Sequence, residues 1–143
     1  MPKVTNLITF DEPLSREHYT VGATFLWCID RRFKRGIVEL KKALKIEKVD
    51  RITVAGGAKD LADPENIGDR KYVLKQIKKS IKLHHPPHIV IMAHEGCGAY
   101  GDTPKEKVLD HLVAAKNLLL GFEPVIANNI SIKAVYVNFD GIE

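Results

Sequence analysis

The 143-residue chain carries two cysteines. Each stands in a short polar cluster, Cys28-Ile29-Asp30-Arg31-Arg32 and His94-Glu95-Gly96-Cys97, that follows directly on an apolar run with the character of a β-strand. Two thiols and an imidazole delivered to the ends of neighbouring strands make a three-ligand set for Zn²⁺, with Cys28, His94 and Cys97 as ligands and the fourth position open to water. An open position points to catalysis rather than scaffolding. A Cys28–Cys97 disulfide is the competing structural reading, but it leaves His94 and Asp30 beside the sulfurs without a purpose. A cysteine-nucleophile reading fares worse. The Cys-x₅-Arg pattern would need Arg at position 34, where Lys34 stands, and no glycine-rich phosphate cradle follows Cys28.

The elements that must position these residues are legible from periodicity. Residues 1–19, with Pro2 and Pro13, read as an extended lead-in with room for a short turn of helix. Val21 to Ile29 is apolar almost throughout, as a strand buried on both faces would be. Phe33, Ile37, Leu40 and Leu44 then recur at helical spacing. A short strand from Arg51 to Ala55 closes on Gly56-Gly57, and residues 59–69 read as a loop that ends with Asp69 capping the next helix. That helix turns Val73, Leu74, Ile77 and Ile81 inward and stops at Pro86-Pro87. His88 to Ala93 is the third strand. Thr103 as N-cap, Pro104 at the first helical position and Glu106 three residues after the cap start another helix, which runs to Leu120 and stops at Gly121. Ile130 to Val137 is β-branched enough for a last strand, followed by a turn at Asn138 to Gly141.

Strands alternating with helices predict an α/β fold, a mostly parallel sheet of about four strands with helices on both faces. Ligands bind such sheets beyond the carboxyl ends of the strands, near a switch in strand order. Cys28, Gly56-Gly57 and the His94–Cys97 cluster all fall at carboxyl ends, so three polar clusters converge on one edge of the sheet.

Composition narrows the classes further. With 45% hydrophobic and 28% charged residues, residues 1–143 fit one globular domain. No apolar run approaches the length of a membrane span, and Met1 to Thr5 lacks the pattern of a secretion signal, so a cytoplasmic location is expected and no membrane partner. The net charge of +4 raises the question of nucleic acid. However, Lys41, Lys42, Lys45, Lys75, Lys78 and Lys79 interleave with apolar residues at helical spacing and lack the aromatic residues of a base-stacking platform. They read as solvated helix faces, and no nucleic-acid partner is expected.

The order Cys-x-Asp-x-Arg at 28–32, Ala55-Gly56-Gly57, then His-x-x-Cys-Gly at 94–98 resembles the β-class carbonic anhydrases, over Val21 to about Tyr100. The resemblance implies zinc held by Cys28, His94 and Cys97, and a hydrogen-bonded pair of Asp30 and Arg32. It also implies hydration of carbon dioxide to bicarbonate by zinc-bound hydroxide and a homodimer or higher homo-oligomer. In some members of that family the aspartate releases its arginine and takes the open metal position. This chain looks like a shortened member, with a proline-broken lead-in, one clear helix between Tyr100 and the last strand, and Thr53-Val54 where many relatives place Arg-Asn. Hydrolysis of COS or CS₂ on the same site is the nearest rival. A zinc-binding structural or regulatory protein is the rival from another class, and Asp30 and Arg32 speak against it, since a structural site needs four firm ligands and no orienting acceptor.

Other polar residues carry weaker signals. Alone, Asp30-Arg31-Arg32 would read as a charged helix start, and Gly56-Gly57 as an ordinary strand-to-helix turn. Glu95 reads as solvated. His84, His85 and His88 flank the diproline as a surface loop, and His18 and His111 have no partner visible in the sequence.

Overall fold

A computed structural model describes residues 3–5 and 7–143; Met1, Pro2 and Asn6 of the lead-in lie outside the described residues. Four strands pair in the order β2-β1-β3-β4, every pairing parallel. They are β1 (Ala23–Cys28), β2 (Val49–Val54), β3 (His88–His94) and β4 (Ser131–Val137). β1 and β3 are interior, and the run of apolar residues that marked them in the sequence is the direct result of burial on both faces. All six residues of β1 are buried, as are the last six of β3.

The helices are α1 (Arg35–Leu44), α2 (Lys59–Ala62), α3 (Ile67–His84), α4 (Lys105–Leu120) and α5 (Glu123–Ala127). α1 lies on the sheet face that displays Trp27: the indole Nε1 donates to the Phe33 carbonyl at 2.9 Å, and a Cβ placed on Gly36 would press into the indole ring. Alternate residues of a strand face opposite sides, so Thr24 faces away from Trp27, and it meets Ser80 of α3 at 2.6 Å. Helices therefore cover both faces, as the sequence predicts. The exposed sides of Lys75, Lys78 and Lys79 on α3 form the expected solvated face.

Several local details differ from the reading of the sequence. Residues 59–62, expected as loop, form α2, which buries Leu61. The cap of α3 is Asn66, whose side chain accepts from the Asp69 amide; Asp69 sits inside the first turn, where its charge favours the helix dipole. Thr103 does not cap α4. Its hydroxyl turns back to the Tyr100 carbonyl at 2.5 Å, and the helix starts at Lys105. Two helices, not one, separate Tyr100 from β4, because the short α5 carries too few residues to show a period.

His84 is not a loop residue either. It ends α3, and its Nδ1 meets Asp50 at 2.7 Å while the same carboxylate oxygen accepts from the Ser80 hydroxyl at 2.6 Å. This string of Thr24, Ser80, Asp50 and His84 satisfies polar groups at the amino end of the sheet, far along the strands from Cys28, and holds the edge strand β2 to α3. Before it, residues 3–5 and 7–20 run without regular secondary structure, and Val4, Leu7, Ile8, Phe10 and Leu14 are exposed. Among the described residues no helix is long and apolar enough to cross a membrane.

Where β2 ends, the chain makes its closest approach to β3. Gly57 has φ of +61°, and an added Cβ would run into the Met92 carbonyl oxygen and sulfur, while the next amide, Ala58 N–H, donates to that same carbonyl at 2.9 Å. Gly57→Ala should therefore destabilise the protein by about 2 kcal/mol or more, from left-handed backbone strain plus the clash. Chemical denaturation would measure this, and an unchanged midpoint would refute the close approach.

Candidate metal centre

The chain leaves β1, steps outward to β2, and crosses back over β1 to β3. Connections leaving the β1 and β3 ends thus diverge, which opens a crevice at their carboxyl edge. Cys28 is the last residue of β1 and His94 the last of β3; Cys97 follows three residues on, after Gly96 turns the chain with φ of +66°. The ligand atoms of Cys28, His94 and Cys97 all lie within 4.8 Å of one another, and all three residues are buried. The two cysteines are free thiols.

The backbone prepares these groups for a cation. Gly56 N–H donates to Cys28 Sγ at 3.3 Å. The Cys28 thiol is held well below the usual thiol range by the hydrogen bond it takes from Cys97, against the cost of burial, with help from His94 and the amides of Asp30 and Gly56. Cys97 is pushed up in consequence, by that same bond and by burial. Of the two sulfurs, Cys28 is the one that gives up its proton more readily.

His94 is oriented by its other nitrogen. Nδ1 lies 2.7 Å from the Glu95 carbonyl, which can only accept, so the ring proton belongs on Nδ1 and Nε2 presents a lone pair. That Nε2 is buried and has no hydrogen-bond partner. Burial favours the neutral ring, but the neighbouring Cys28 sulfur and the Glu95 carbonyl outweigh it and shift the ring upward. One face of the imidazole stacks on Phe33 with centroids 4.0 Å apart. A buried, unpartnered nitrogen beside two sulfurs is expensive unless something electrophilic binds it. The donor set suits a borderline-soft ion such as Zn²⁺, and these three residues could hold one.

Asp30 and Arg32 complete the centre. Asp30 caps a 3₁₀ turn at Arg31–Phe33, its Oδ1 accepting from the Arg32 amide at 3.0 Å. The Arg32 side chain closes a fork on the same carboxylate, Nε to Oδ1 at 3.0 Å and a terminal nitrogen to Oδ2 at 2.6 Å. This pairing keeps the Asp30 carboxyl down at about 2. Asp30 Oδ2 is 4.0 Å from His94 Nε2, close enough to face whatever His94 binds, and Arg32 also reaches the Gly96 carbonyl at 3.4 Å. The charged helix start is thus a second use of residues that also meet the sulfur and imidazole cluster.

Residues 19–141 match the model of a protein family described as "Putative carbonic anhydrase". The chain belongs to that family. No match appears among curated proteins. Among solved structures the fold is similar to β-carbonic anhydrase isoform I of Trichomonas vaginalis, at 16% identity and a TM-score of 0.61, over 92% of this chain and 85% of that one. It is similar to the carbonic anhydrase of Streptococcus mutans at 15% identity and a TM-score of 0.60, over 88% and 82%. An apo carbon disulfide hydrolase shares the fold at 13% identity and a TM-score of 0.55, over 85% and 77%. The β-carbonic-anhydrase-like architecture expected from the motif order is the one the chain adopts.

Other residues join the centre without a signal strong enough to find them in the sequence. Phe33, a helix-face residue by periodicity, stacks on His94. Glu95 is not simply solvated, since its Oε1 accepts from the Phe139 amide at 3.3 Å. Tyr100 is buried, its phenol pushed up by burial and by the nearby Cys97, and it meets His111 Nδ1 at 3.3 Å. Beside Arg32 lies a cleft of about 670 Å³ between α1 and the 138–142 turn, lined among others by Phe33, Leu40, Phe139 and Ile142.

Cys97→Ser should abolish stoichiometric zinc binding while leaving the far-ultraviolet circular dichroism of the parent, because the sulfur lies in the loop three residues beyond the end of β3 and takes no part in strand pairing. Metal content of the purified variant by atomic emission checks this. A variant that still held one zinc per chain would refute the assignment.

Proposed function

We propose that the protein is a zinc enzyme that reversibly hydrates carbon dioxide to bicarbonate. The observation that carries this reading is the meeting of three nitrogen and sulfur donors, one of them an unpartnered buried imidazole nitrogen, with a carboxylate that an arginine keeps ionised. Cys28 Sγ, Cys97 Sγ and His94 Nε2 would hold the ion. When bound, Zn²⁺ supplies an acidified water as nucleophile near neutral pH. Two thiolates offset the ion's charge, so this donor set acidifies water less than three imidazoles would.

The chain's own residues recover part of that loss by orientation. Asp30 stays ionised through the physiological range, so its Oδ2 is a standing acceptor beside the ligands. It takes a hydrogen bond from the attacking water and leaves a lone pair aimed at the carbon of CO₂. Arg32 fixes both the charge and the angle of that carboxylate through its fork. In this arrangement Asp30 is engaged by Arg32, and its place is that of an orienting acceptor. Phe33, packed on one face of His94, keeps the imidazole from rotating and bulk water from that face.

Hydrolysis of COS or CS₂ is the second reading, supported by the fold shared with a carbon disulfide hydrolase. Attack on any of these linear molecules makes the same demand on Asp30, and access to the centre decides among them. We further infer a homodimer or higher homo-oligomer, because the lead-in exposes five large apolar residues, Val4, Leu7, Ile8, Phe10 and Leu14. Light scattering on a sizing column should give at least twice the monomer mass of 16.0 kDa; a monomer at micromolar concentration would refute it.

Stopped-flow assays with each gas, on a sample of measured zinc content, test the activity. Carbon dioxide hydration above the buffer rate is expected, and full zinc occupancy with no turnover of any of the three would refute the enzymatic reading. Asp30→Ala should keep its zinc and lose about a hundred-fold in kcat/KM, the size expected when one positioned proton-handling group is removed. Parent-like turnover in that variant would remove the orienting role.

A further inference from the structure

Phe139 is a large apolar residue left 57% exposed in the turn after β4, and nothing in the ligand chemistry calls for it. Its surroundings do. The Arg32 guanidinium carbon sits 5.2 Å from the centroid of the Phe139 ring and 5.6 Å from that of Phe33, so the cation packs against both rings at once. The two rings touch each other at 5.1 Å between centroids, and Phe33 in turn stacks on His94. Phe139 also lies over Gly96, where an added Cβ would come 3.7 Å from its ring, and the Gly96 carbonyl is itself a partner of Arg32. The ring is therefore the outer wall of the niche that holds the guanidinium.

The turn that carries this ring is tied down at every available point. Asn138 Oδ1 accepts from the amides of Asp140 and Gly141, both at 2.8 Å, and Asn138 Nδ2 donates to Glu143 at 3.1 Å. Glu143 pairs with Lys105 at 2.9 Å and closes a small ladder with Tyr136. On the side of the metal centre, Glu95 binds both ends of the turn's entry: its own N–H donates to the Val137 carbonyl at 2.9 Å, and its Oε1 accepts from the Phe139 amide. Glu95 lies between His94 and Cys97 in sequence, so the end of β3 and the short loop after it carry both of these residues and the anchor of the Phe139 turn.

We propose that Phe139 is a positioning residue for the reaction, clamping the Arg32 guanidinium so that its fork holds the Asp30 carboxylate in the orientation the nucleophile needs, with Glu95 as the clamp's anchor. Arg32 alone has reason to wander: its side chain is 54% exposed, and a guanidinium on a flexible stem loses its fork geometry unless something flat packs against it. The ring supplies that surface, through cation–π attraction and by limiting the rotamers open to the stem. The inference rests on the carbon dioxide reading for its effect on rate, but the clamp itself is a property of the folded chain.

The test compares Phe139→Ala, Phe139→Leu and Phe139→Tyr in the full-length, zinc-loaded protein, with two readouts. The first is the nitrogen-15 and proton signal of Arg32 Nε–H, which in the parent should be shifted by the ring currents of Phe33 and Phe139 and slowed in exchange with water. Phe139→Ala and Phe139→Leu should move this signal toward that of a free arginine side chain, while Phe139→Tyr keeps it. The second is kcat/KM for hydration, expected to fall about five-fold in Ala and Leu at unchanged zinc content, the loss that one exposed cation–π contact supports, and to return in Tyr. The Leu variant preserves apolar bulk in the turn, so it separates the ring's electrostatic and planar role from simple packing should the Ala variant unfold. An Arg32 signal unmoved in both Ala and Leu would overturn the clamp, and so would Leu matching the parent in rate. If the parent itself shows no turnover with zinc bound, the functional reading fails, and the Arg32 signal alone still decides whether the clamp exists.

Discussion

The pairing of β1 with β3 is the constraint on which the rest of the structure depends. These strands are not consecutive, and they lie side by side because the chain steps outward to β2 and then returns across β1. Both are apolar on both faces, so their stability comes from being covered by helices on either side. A crossover that goes one way and then back, each with the same hand, puts α1 on one face and α2 with α3 on the other. The register Leu26 opposite Ile91 then brings the end of β1 beside the end of β3. Cys28 and His94 become neighbours for that reason alone.

Two kinds of turn finish the job. At the β2 exit, Gly56 and Gly57 adopt positive φ and bring backbone where a side chain would not fit; the dividend is an amide aimed at the Cys28 sulfur. At the β1 exit, Asp30 caps the 3₁₀ turn with one oxygen and leaves the other to face the imidazole. A capping residue is held by local geometry that costs nothing extra, so the fold obtains a rigid carboxylate from an ordinary helix start. Arg32 then favours the ionised form of that carboxylate.

The electrostatics of the centre follow from the same arrangement. Two thiolates side by side would repel each other, and buried polar groups left without partners would be costly. The downward shift at Cys28 with the upward shift at Cys97, and the imidazole proton on Nδ1 against a carbonyl, favour a thiolate and a lone pair in the middle of the cluster. Positive charge from Arg32 sits one layer out, paired to Asp30, where it shapes the field without occupying a donor atom. The remaining basic residues lie mostly on solvated helix faces and leave the centre's charge to its own residues.

The sequence by itself determined the fold class and the candidate donor set. Strands apolar on both faces need cover on both sides, and the helical spacing of Ile37, Leu40 and Leu44, and of Val73, Ile77 and Ile81, placed helices between them to supply it. Cys28, Asp30, Arg32, His94 and Cys97 were legible as a candidate site because they cluster at strand ends, and strand ends are visible as the point where apolar runs stop. Boundaries set by caps were not, since Asn66, Thr103 and Asp69 can all cap or all serve a turn, and only the path of the preceding backbone chooses. Short α2 and α5 hold too few residues for a period to show. What tertiary structure alone decided is which distant groups touch: Gly56 at the Cys28 sulfur, Asp50 at His84, Phe33 on His94, and Phe139 over Arg32. A cation over an aromatic ring or a carbonyl at a ring nitrogen has no characteristic spacing along the chain, because the partners meet through the packing of separate elements rather than through the repeat of one.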